Sequence, residues 1–217
     1  MREQVINEIL TGKLIAIVRG MAEEQIVPIA KAIRAGGIKM LEVTFNQSDP
    51  GGFAATARAI AAVRTEFGAD GYAGAGTVIT AEQLELAYEA GAQYIIAPNA
   101  DPAIIGRSRE LGLVSIPGAM TPTECAAAHF AGADFVKLFP LGNLGAGYLK
   151  AIRAPLSHIR FLGVGGINEN NIAEYLSAGA VGFGVGGNLV NKDWIKAGRY
   201  DLITELAAKY VRAVQGG

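Results

Sequence analysis

Short apolar runs alternate with alanine-rich segments along nearly the whole chain, and this alternation constrains the fold more than any other feature. The apolar runs are residues 14–19, 39–45, 71–77, 93–98, 113–117, 134–139, 159–164 and 180–185. The segments between them have helical periodicity, as at 24–35, 53–67, 81–90 and 121–131. Because consecutive parallel strands need a crossover that is usually helical, this pattern predicts a parallel sheet with helices outside it.

Residues typical of helix starts and stops occur between the apolar runs, as a parallel sheet with helical crossovers requires. The predicted starts are a capping box at Thr80 and Gln83, Asp101 before a proline, residues 121–124, and Asn168 for a helix through Ser177. The predicted stops are glycines in 35–37, 90–92, 131–133 and 178–180, which suit left-handed C-caps. The eight apolar runs are therefore separate strands with helices between them.

Eight strand–helix units within 217 residues fit an α/β fold, a single (β/α)8 TIM barrel with extra N- and C-terminal helices. A doubly wound open sheet is the alternative, but that fold usually carries a glycine fingerprint after its first strand. Here Arg19-Gly20-Met21 follows the first run and does not match. No interdomain linker is evident, so residues 1–217 are predicted to form one domain. Residues 191–217 are the predicted extra helix, anchored by Trp194.

Composition limits the partners and the compartment. The formal net charge of −1 gives no general attraction for nucleic acid or an anionic membrane, so neither is an expected partner. No apolar run approaches the ~20 residues of a membrane span, and the N-terminus lacks the apolar core of a signal peptide. The lone Cys125 cannot form an internal disulfide and is interpreted as a buried packing residue. A cytoplasmic location is expected.

Lys137 is the most informative single residue because it interrupts the apolar run 135–140. Burial of a lysine favours the neutral amine and lowers its pKa. A neutral amine attacks carbonyl carbon, which is how Schiff-base lysines act. The alternative is a lysine that carries its charge past the strand end into water, or one held in an ion pair.

Polar residues recur at or near the ends of the predicted strands, where barrel enzymes hold their active sites. They are Arg19, Glu42, Thr77, Asn99 directly after Pro98, and Lys137. Glu42 shares a strand face with Met40 and Thr44, so an inward Glu42 is expected to approach an inward Lys137. A structural Glu–Lys ion pair and a rim salt bridge at Arg19 are the alternatives. The clustering favours a catalytic site.

Two glycine-rich segments, 163–168 and 184–188, follow the last two predicted strands. Loops in these places commonly bind phosphate in barrels, although glycine also serves tight turns. The only histidines, His129 and His158, do not lie at strand ends. Neither a metal site nor a serine or cysteine triad is therefore predicted, and no cofactor is expected.

Six motifs occur in the order of a known family. They are Leu41-Glu42-Val43-Thr44, Gly74-Ala75-Gly76-Thr77-Val78, Pro117-Gly118, Thr121-Pro122-Thr123-Glu124, Val136-Lys137-Leu138-Phe139-Pro140 and Val164-Gly165-Gly166-Ile167. From residue 14 to about residue 190, the chain resembles the 2-keto-3-deoxy-6-phosphogluconate/4-hydroxy-2-oxoglutarate aldolases. The resemblance implies a class I, metal-independent aldolase, typically a homotrimer, that releases pyruvate from a keto-acid substrate in the Entner–Doudoroff pathway of carbohydrate metabolism.

The resemblance also assigns roles to residues. It implies that Lys137 forms the Schiff base and that Glu42 moves protons, partly through water. Thr77 and Pro98 would line the keto-acid site. The substrate-binding set expected from the motifs and loops is Arg19, Thr77, Pro98, Phe139, Gly165, Gly166, Gly186, Gly187 and Asn188. In this set the four glycines would hold a phosphate through their amides.

Three departures from the commoner phosphogluconate pattern are Asn46, Val164 and Asn188. Together Arg19, Asn46 and Val164 look more like the 2-keto-3-deoxy-6-phosphogalactonate branch, where Arg19 would contact the carboxylate. The substrate epimer therefore stays open, as does an unphosphorylated substrate. The remaining alternatives are another phosphate-binding barrel enzyme and a non-catalytic sugar-phosphate sensor.

Overall fold

The computed structural model describes residues 1–216, and its parallel strands form one nearly closed barrel surrounded by helices. The strands are β1 Leu14–Val18, β2 Met40–Thr44, β3 Tyr72–Gly76, β4 Tyr94–Ile96, β5 Val114–Ile116, β6 Gly118–Ala119, β7 Val136–Leu138, β8 Phe161–Val164 and β9 Gly182–Val185. The helices are α1 Arg2–Gly12, α2 Glu23–Ala35, α3 Phe53–Phe67, α4 Ala81–Glu89, α5 Pro102–Glu110, α6 Pro122–Phe130, α7 Gly145–Arg153, α8 Ile172–Ser177, α9 Lys192–Lys196 and α10 Tyr200–Gln215. The predicted barrel with extra terminal helices is confirmed.

The fifth predicted strand, residues 113–117, contains β5, and a further short strand, β6, begins directly after Pro117, which is why nine strands replace the predicted eight. In the sheet order β5-β4-β3-β2-β1-β9-β8-β7-β6, β5 and β6 lie at opposite ends. Proline lacks the N–H that a continuous ladder needs. Its carbonyl oxygen still accepts a hydrogen bond from the Lys137 N–H at 2.9 Å. This one stretch of chain therefore pairs with β4 before the proline and with β7 after it, which brings the ends of the barrel together.

The barrel interior has its own apolar core, separate from the larger layer between strands and helices. It contains Ile15, Met40, Tyr94, Ile96, Val114, Ile116 and Leu162 from the strands, Phe135 from just before β7, and Val5, Ile6 and Ile9 from α1. An ion pair between Arg2 and Asp134, just before β7, holds α1 across the N-terminal ends of the strands. The interior is thus covered at that end.

The predicted helix boundaries are largely confirmed. Thr80 and Thr121 cap α4 and α6 in capping boxes, and Asp101 caps α5. Asn168 is an exception, because its Oδ1 accepts from the Asn170 N–H at 2.9 Å in a turn before α8, which begins only at Ile172. Short polar side chains compete for local backbone groups in this way.

The predicted C-terminal helix is two helices, α9 and α10. The half-buried Trp194 of α9 packs against the outer core, as expected for an anchor. The helix α10 packs against α2 and α8. Gly217 lies outside the described residues. Within residues 1–216, none of the helices is both long enough and apolar enough to cross a bilayer.

The contact between α2 and α10 gives a test of the packing. A Cβ added at Gly36 would lie 2.4 Å from the Ala207 Cβ and 2.6 Å from the Thr204 carbonyl oxygen. We expect Gly36→Ala to lower the free energy of unfolding by about 1–3 kcal/mol through overpacking. Chemical denaturation with linear extrapolation measures the change.

Gly106 within α5 is the matched control, since an added Cβ there meets nothing within 4 Å. Gly106→Ala should raise the free energy of unfolding by about 0.5–1 kcal/mol, because alanine loses less backbone entropy in a helix. Equal effects of the two substitutions would contradict this account of the packing.

Candidate active site

Lys137 and Glu42 project into the same barrel interior from strands β7 and β2. Both are buried, with 6% and 1% of their surface exposed. Met40, on the same face of β2 as Glu42, belongs to the interior core, whereas Leu41 and Val43 belong to the outer core. The inward direction predicted for Glu42 is thereby confirmed.

Burial shifts the protonation of both groups toward their neutral forms. Loss of hydration is the main reason that the pKa of Lys137 is lowered; Glu42 opposes this shift and Arg19 adds to it. Loss of hydration likewise raises the pKa of Glu42, while Lys137 and Arg19 oppose that rise. The amine is thus shifted toward the nucleophilic form.

Lys137 and Glu42 are near enough to influence each other but do not form an ion pair. Within residues 1–216, no carboxylate oxygen lies within 4.0 Å of the Lys137 Nζ. The Glu42 Oε2 also has no hydrogen-bond partner among the described groups. A structural ion pair, the simplest alternative, is therefore not what holds these residues.

Neighbouring residues give the two side chains their space. A Cβ added at Gly76 on β3 would lie 1.7 Å from the Glu42 Oε1, so the carboxylate occupies room that only a glycine leaves. The Phe139 ring, just after β7, has its centroid 4.8 Å from the Lys137 Nζ. The charged form of an amine beside an aromatic face is stabilised by attraction to the ring, even without a carboxylate contact.

A cavity of about 770 Å³ opens beside this pair, at the C-terminal ends of β1, β8 and β9. Its lining includes the predicted residues Arg19, Phe139, Gly165, Gly166, Gly186, Gly187 and Asn188. Phe139 connects the two regions, since it lines the cavity and contacts Lys137. The predicted glycine segments therefore do meet at one place.

The cavity is electropositive. Arg19 and Lys192 contribute to its lining, and no acidic side chain among residues 1–216 does. Neither cation forms an ion pair with an acid of the described chain. Gly165 and Gly166 have φ of 86° and 76°, a left-handed geometry that exposes successive backbone groups. Unpaired cations beside such a loop suit an anionic ligand.

Thr77 and Pro98 lie near the pair rather than in the cavity lining. Thr77 directly follows β3 with φ of 57°, an unusual geometry for a β-branched residue. Its carbonyl accepts a hydrogen bond of 2.7 Å from the Gln47 side chain. The Pro98 carbonyl lies against Gly118, which is the register partner of Lys137. Thr77 thus follows the glycine that leaves room for Glu42, and Pro98 packs against the register partner of Lys137.

Asn188 lines the cavity, but its side chain is already engaged. Its Oδ1 accepts a hydrogen bond of 2.8 Å from the Tyr210 hydroxyl, and its Nδ2 donates to Glu169 at 3.3 Å. Both polar groups of the Asn188 side chain are thus hydrogen-bonded, so a ligand contact by Asn188 would use its backbone.

Sequence reasoning missed two residues that the structure brings to the site. Lys192 lies in the cavity lining, although it comes from α9, after the last strand. Tyr94 lies fully buried in the barrel interior, near enough to Glu42 for the carboxylate charge to raise the tyrosine pKa. A tyrosine at the start of an apolar run gives little signal beyond ordinary core packing.

The remaining candidate chemical groups do not form a second site. His129 and His158 have ring centroids 4.9 Å apart, but the part of the chain that the structure describes has no group of three metal-ligating side chains. Cys125 is buried, and that burial raises its thiol pKa to about 11. Such a thiol is inert and packs as a small apolar residue.

Comparison with known proteins gives a consistent result. The model of the "KDPG and KHG aldolase" family matches residues 5–206. A probable 2-dehydro-3-deoxy-6-phosphogalactonate aldolase from Rhizobium meliloti is 38% identical over 94% of this chain and 93% of that protein. A 2-dehydro-3-deoxy-phosphogluconate aldolase from Treponema pallidum is 36% identical, with 93% of each chain covered.

A solved structure gives the chemical context. The KDPG aldolase from Legionella pneumophila, with pyruvate captured as a covalent carbinolamine intermediate, superposes with a TM-score of 0.82. It is 30% identical to this chain, covering 94% of this chain and 96% of the other. With the family match and the shared fold, these similarities establish that the chain belongs to the KDPG and KHG aldolase family.

Proposed function

We propose that this chain is a class I aldolase that cleaves a 2-keto-3-deoxy-6-phospho sugar acid, 4-hydroxy-2-oxoglutarate, or both, through a Schiff base at Lys137. Membership of an aldolase family makes the protein a carbon–carbon lyase. The observation that carries the proposal is the buried Lys137, shifted toward its neutral form beside an unpaired buried carboxylate.

The first half of the reaction is imine formation. Neutral Lys137 attacks the C2 carbonyl carbon of the keto acid and gives a carbinolamine. Loss of water then yields an iminium ion. The positive nitrogen accepts the electron pair that is released when the C3–C4 bond breaks, which lowers the barrier to cleavage.

Glu42 supplies the proton transfers of the second half. Acting through water, its carboxylate accepts the C4 hydroxyl proton as the bond breaks, and the aldehyde leaves. The protonated carboxyl then returns a proton to C3 of the enamine. Hydrolysis of the resulting iminium releases pyruvate and regenerates Lys137. A carboxyl group that takes a proton from the C4 hydroxyl oxygen and returns one to C3 needs a pKa near the working pH, and burial raises the pKa of Glu42 in that direction.

The cavity fits the two charged ends of such a substrate. Arg19 would present a planar guanidinium to the carboxylate of the keto acid, and Thr77 would help to orient the same carboxylate. The segments around Gly165 and Gly186 offer backbone amides for a phosphate. Lys192 adds an unpaired amine on that side. Products would be pyruvate and glyceraldehyde 3-phosphate, or glyoxylate from 4-hydroxy-2-oxoglutarate.

The alternative substrate is 2-keto-3-deoxy-6-phosphogalactonate. Val164 and Arg19, two of the three residues that resemble the galactonate branch, both line the cavity. Asn46 instead lies beside a smaller cavity of about 190 Å³ between β2 and α3. A coupled assay of pyruvate release that compares the two epimers and 4-hydroxy-2-oxoglutarate decides among them.

We also propose the setting in which the enzyme works. Residues 1–217 would act as one aldolase domain in a cytoplasmic homotrimer serving the Entner–Doudoroff pathway, with no nucleic acid or membrane partner. The single buried thiol suits a reducing compartment. Phe130 is 83% exposed and offers apolar surface for contact between subunits.

Covalent trapping tests the central step. Borohydride reduction in the presence of pyruvate should add one pyruvate-derived group to Lys137, which peptide mass spectrometry locates. Lys137→Met should abolish both the label and aldol cleavage. Lys150→Met on α7 should keep both. An active wild-type enzyme that remains unlabelled would instead favour a barrel enzyme that uses no imine.

The pH dependence of trapping tests the electrostatics. The midpoint for the wild type should lie below 10.5, the ordinary lysine value, since burial disfavours the charged amine. Glu42→Gln removes the negative charge that favours the charged amine, so the pKa of Lys137 falls further and the midpoint shifts to lower pH. Glu205→Gln on the exposed face of α10 should leave it unchanged. A higher midpoint in Glu42→Gln would refute the coupling of the two groups.

The electropositive cavity gives a test of substrate binding. Lys192→Met should raise the KM for a phosphorylated substrate roughly three- to tenfold, the loss of ~1 kcal/mol from one exposed charge contact. Trapping of pyruvate at Lys137 should be unaffected, because pyruvate has no phosphate. Lys196→Met, at the other end of α9, is the control. Equal changes in KM for Lys192→Met and Lys196→Met would show that Lys192 does not contribute to phosphate binding.

A further inference from the structure

Three buried side-chain oxygens have no hydrogen-bond partner within the described residues. They are the Glu42 Oε2, the Thr44 Oγ1 and the Tyr94 hydroxyl. Glu42 and Thr44 share one face of β2, and Tyr94 belongs to the interior core. Burying such an oxygen without a partner is unfavourable, because its hydration is lost and no hydrogen bond replaces it. Their occurrence together in one barrel calls for a functional explanation.

Strand register places Tyr94 and Glu42 at the same level of the barrel. Glu42 on β2 is the register partner of Gly74 on β3, and Gly74 is the register partner of Tyr94 on β4. The two side chains therefore face the interior on either side of a residue that has no side chain. The carboxylate charge acts across this gap, since Glu42 contributes to the raised pKa of Tyr94.

The glycines of β3 make this arrangement sterically accessible. A Cβ added at Gly74 would lie 2.1 Å from the Tyr94 ring, and one added at Gly76 would lie 1.7 Å from the Glu42 Oε1. The phenol ring thus lies over the first glycine and the carboxylate over the second. Larger residues at either place would separate the two groups.

We propose that Tyr94 is a positioning residue for the proton-transferring carboxylate, and that its hydroxyl donates a hydrogen bond to Glu42 through one bridging water molecule. This inference rests on the proposed function, in which Glu42 moves protons during aldol cleavage. The two oxygens do not bond each other directly. A bridging water satisfies both at once, as buried waters in proteins commonly do.

The chemistry of the two groups suits these roles. Burial, followed by the Glu42 charge, raises the pKa of Tyr94 well above its ordinary value, so the phenol stays a neutral donor across the working range. A donated hydrogen bond favours the charged form of a carboxylate. It therefore acts in the same direction as Lys137 and Arg19, the cations that oppose the burial shift of Glu42.

The test is Tyr94→Phe, which removes one oxygen and keeps the ring. We expect the pKa of Glu42 to rise, so that the acid limb of the kcat profile for aldol cleavage shifts to higher pH. On that limb kcat should fall about tenfold, the loss of a hydrogen bond to a charged group. On the alkaline side kcat should change less than twofold, and KM should not change.

Tyr72→Phe is the matched control. Tyr72 packs against the same interior core but lies two residues before Gly74 on β3, nearer the N-terminal end. It should leave the pH profile unchanged. Infrared titration of the protonated carboxyl band, assigned by its loss in Glu42→Gln, should show a raised Glu42 pKa in Tyr94→Phe and not in Tyr72→Phe.

The outcomes separate this inference from the proposed function. If the wild type is not labelled by pyruvate and borohydride, the proposed function fails. The positioning role of Tyr94 is wrong if the wild type and Tyr94→Phe are both labelled and Tyr94→Phe, like Tyr72→Phe, leaves the acid limb and the infrared midpoint of Glu42 unchanged. A merely structural hydroxyl predicts that result, with Tyr94→Phe as stable as the wild type or more so.

Discussion

The site depends on keeping an amine and a carboxyl group in one largely apolar interior without letting them form an ion pair. An ion pair there would hold Lys137 charged and unreactive. The described carboxylates all stay beyond 4.0 Å from the amine, and the Phe139 ring lies 4.8 Å from it. Burial is therefore the largest influence on each group and moves both toward neutrality, while the charge of each opposes the shift of the other. The barrel topology produces this separation between Lys137 and Glu42, and the proposed chemistry depends on it.

The barrel creates the separation through its topology. Lys137 and Glu42 lie on β7 and β2, on different sides of a closed interior whose bottom is covered by α1. The switch at Pro117 closes the sheet next to β7, and the Lys137 backbone bonds to that proline. Access to the amine is thus through the C-terminal ends of the strands, where the electropositive cavity lies.

The parts of this design that depend on local pattern were predictable from sequence. Strand alternation, capping boxes and the buried Lys137 and Glu42 each follow from period, propensity or desolvation. The roles of Tyr94 and Lys192 were not predictable. Tyr94 comes near Glu42 only through the strand register across Gly74. Lys192 reaches the cavity lining only because of the path that α9 takes. The late start of α8 was missed because Asn168 bonds within its own turn. Long-range geometry, rather than residue type, decides such cases.

Arg19 lines the cavity at the end of β1 and also influences both buried groups inside the barrel. Burial is the main cause of the shift of each pKa. To that shift the Arg19 charge adds a lowering of the Lys137 pKa, and it also lowers the Glu42 pKa, so it favours the neutral amine and the ionised carboxylate together. The Glu42 carboxylate acts in the opposite direction on the lysine, since it raises the Lys137 pKa. Arg19 therefore offsets the effect of Glu42, and the neutral amine that burial favours is kept although a carboxylate shares its interior.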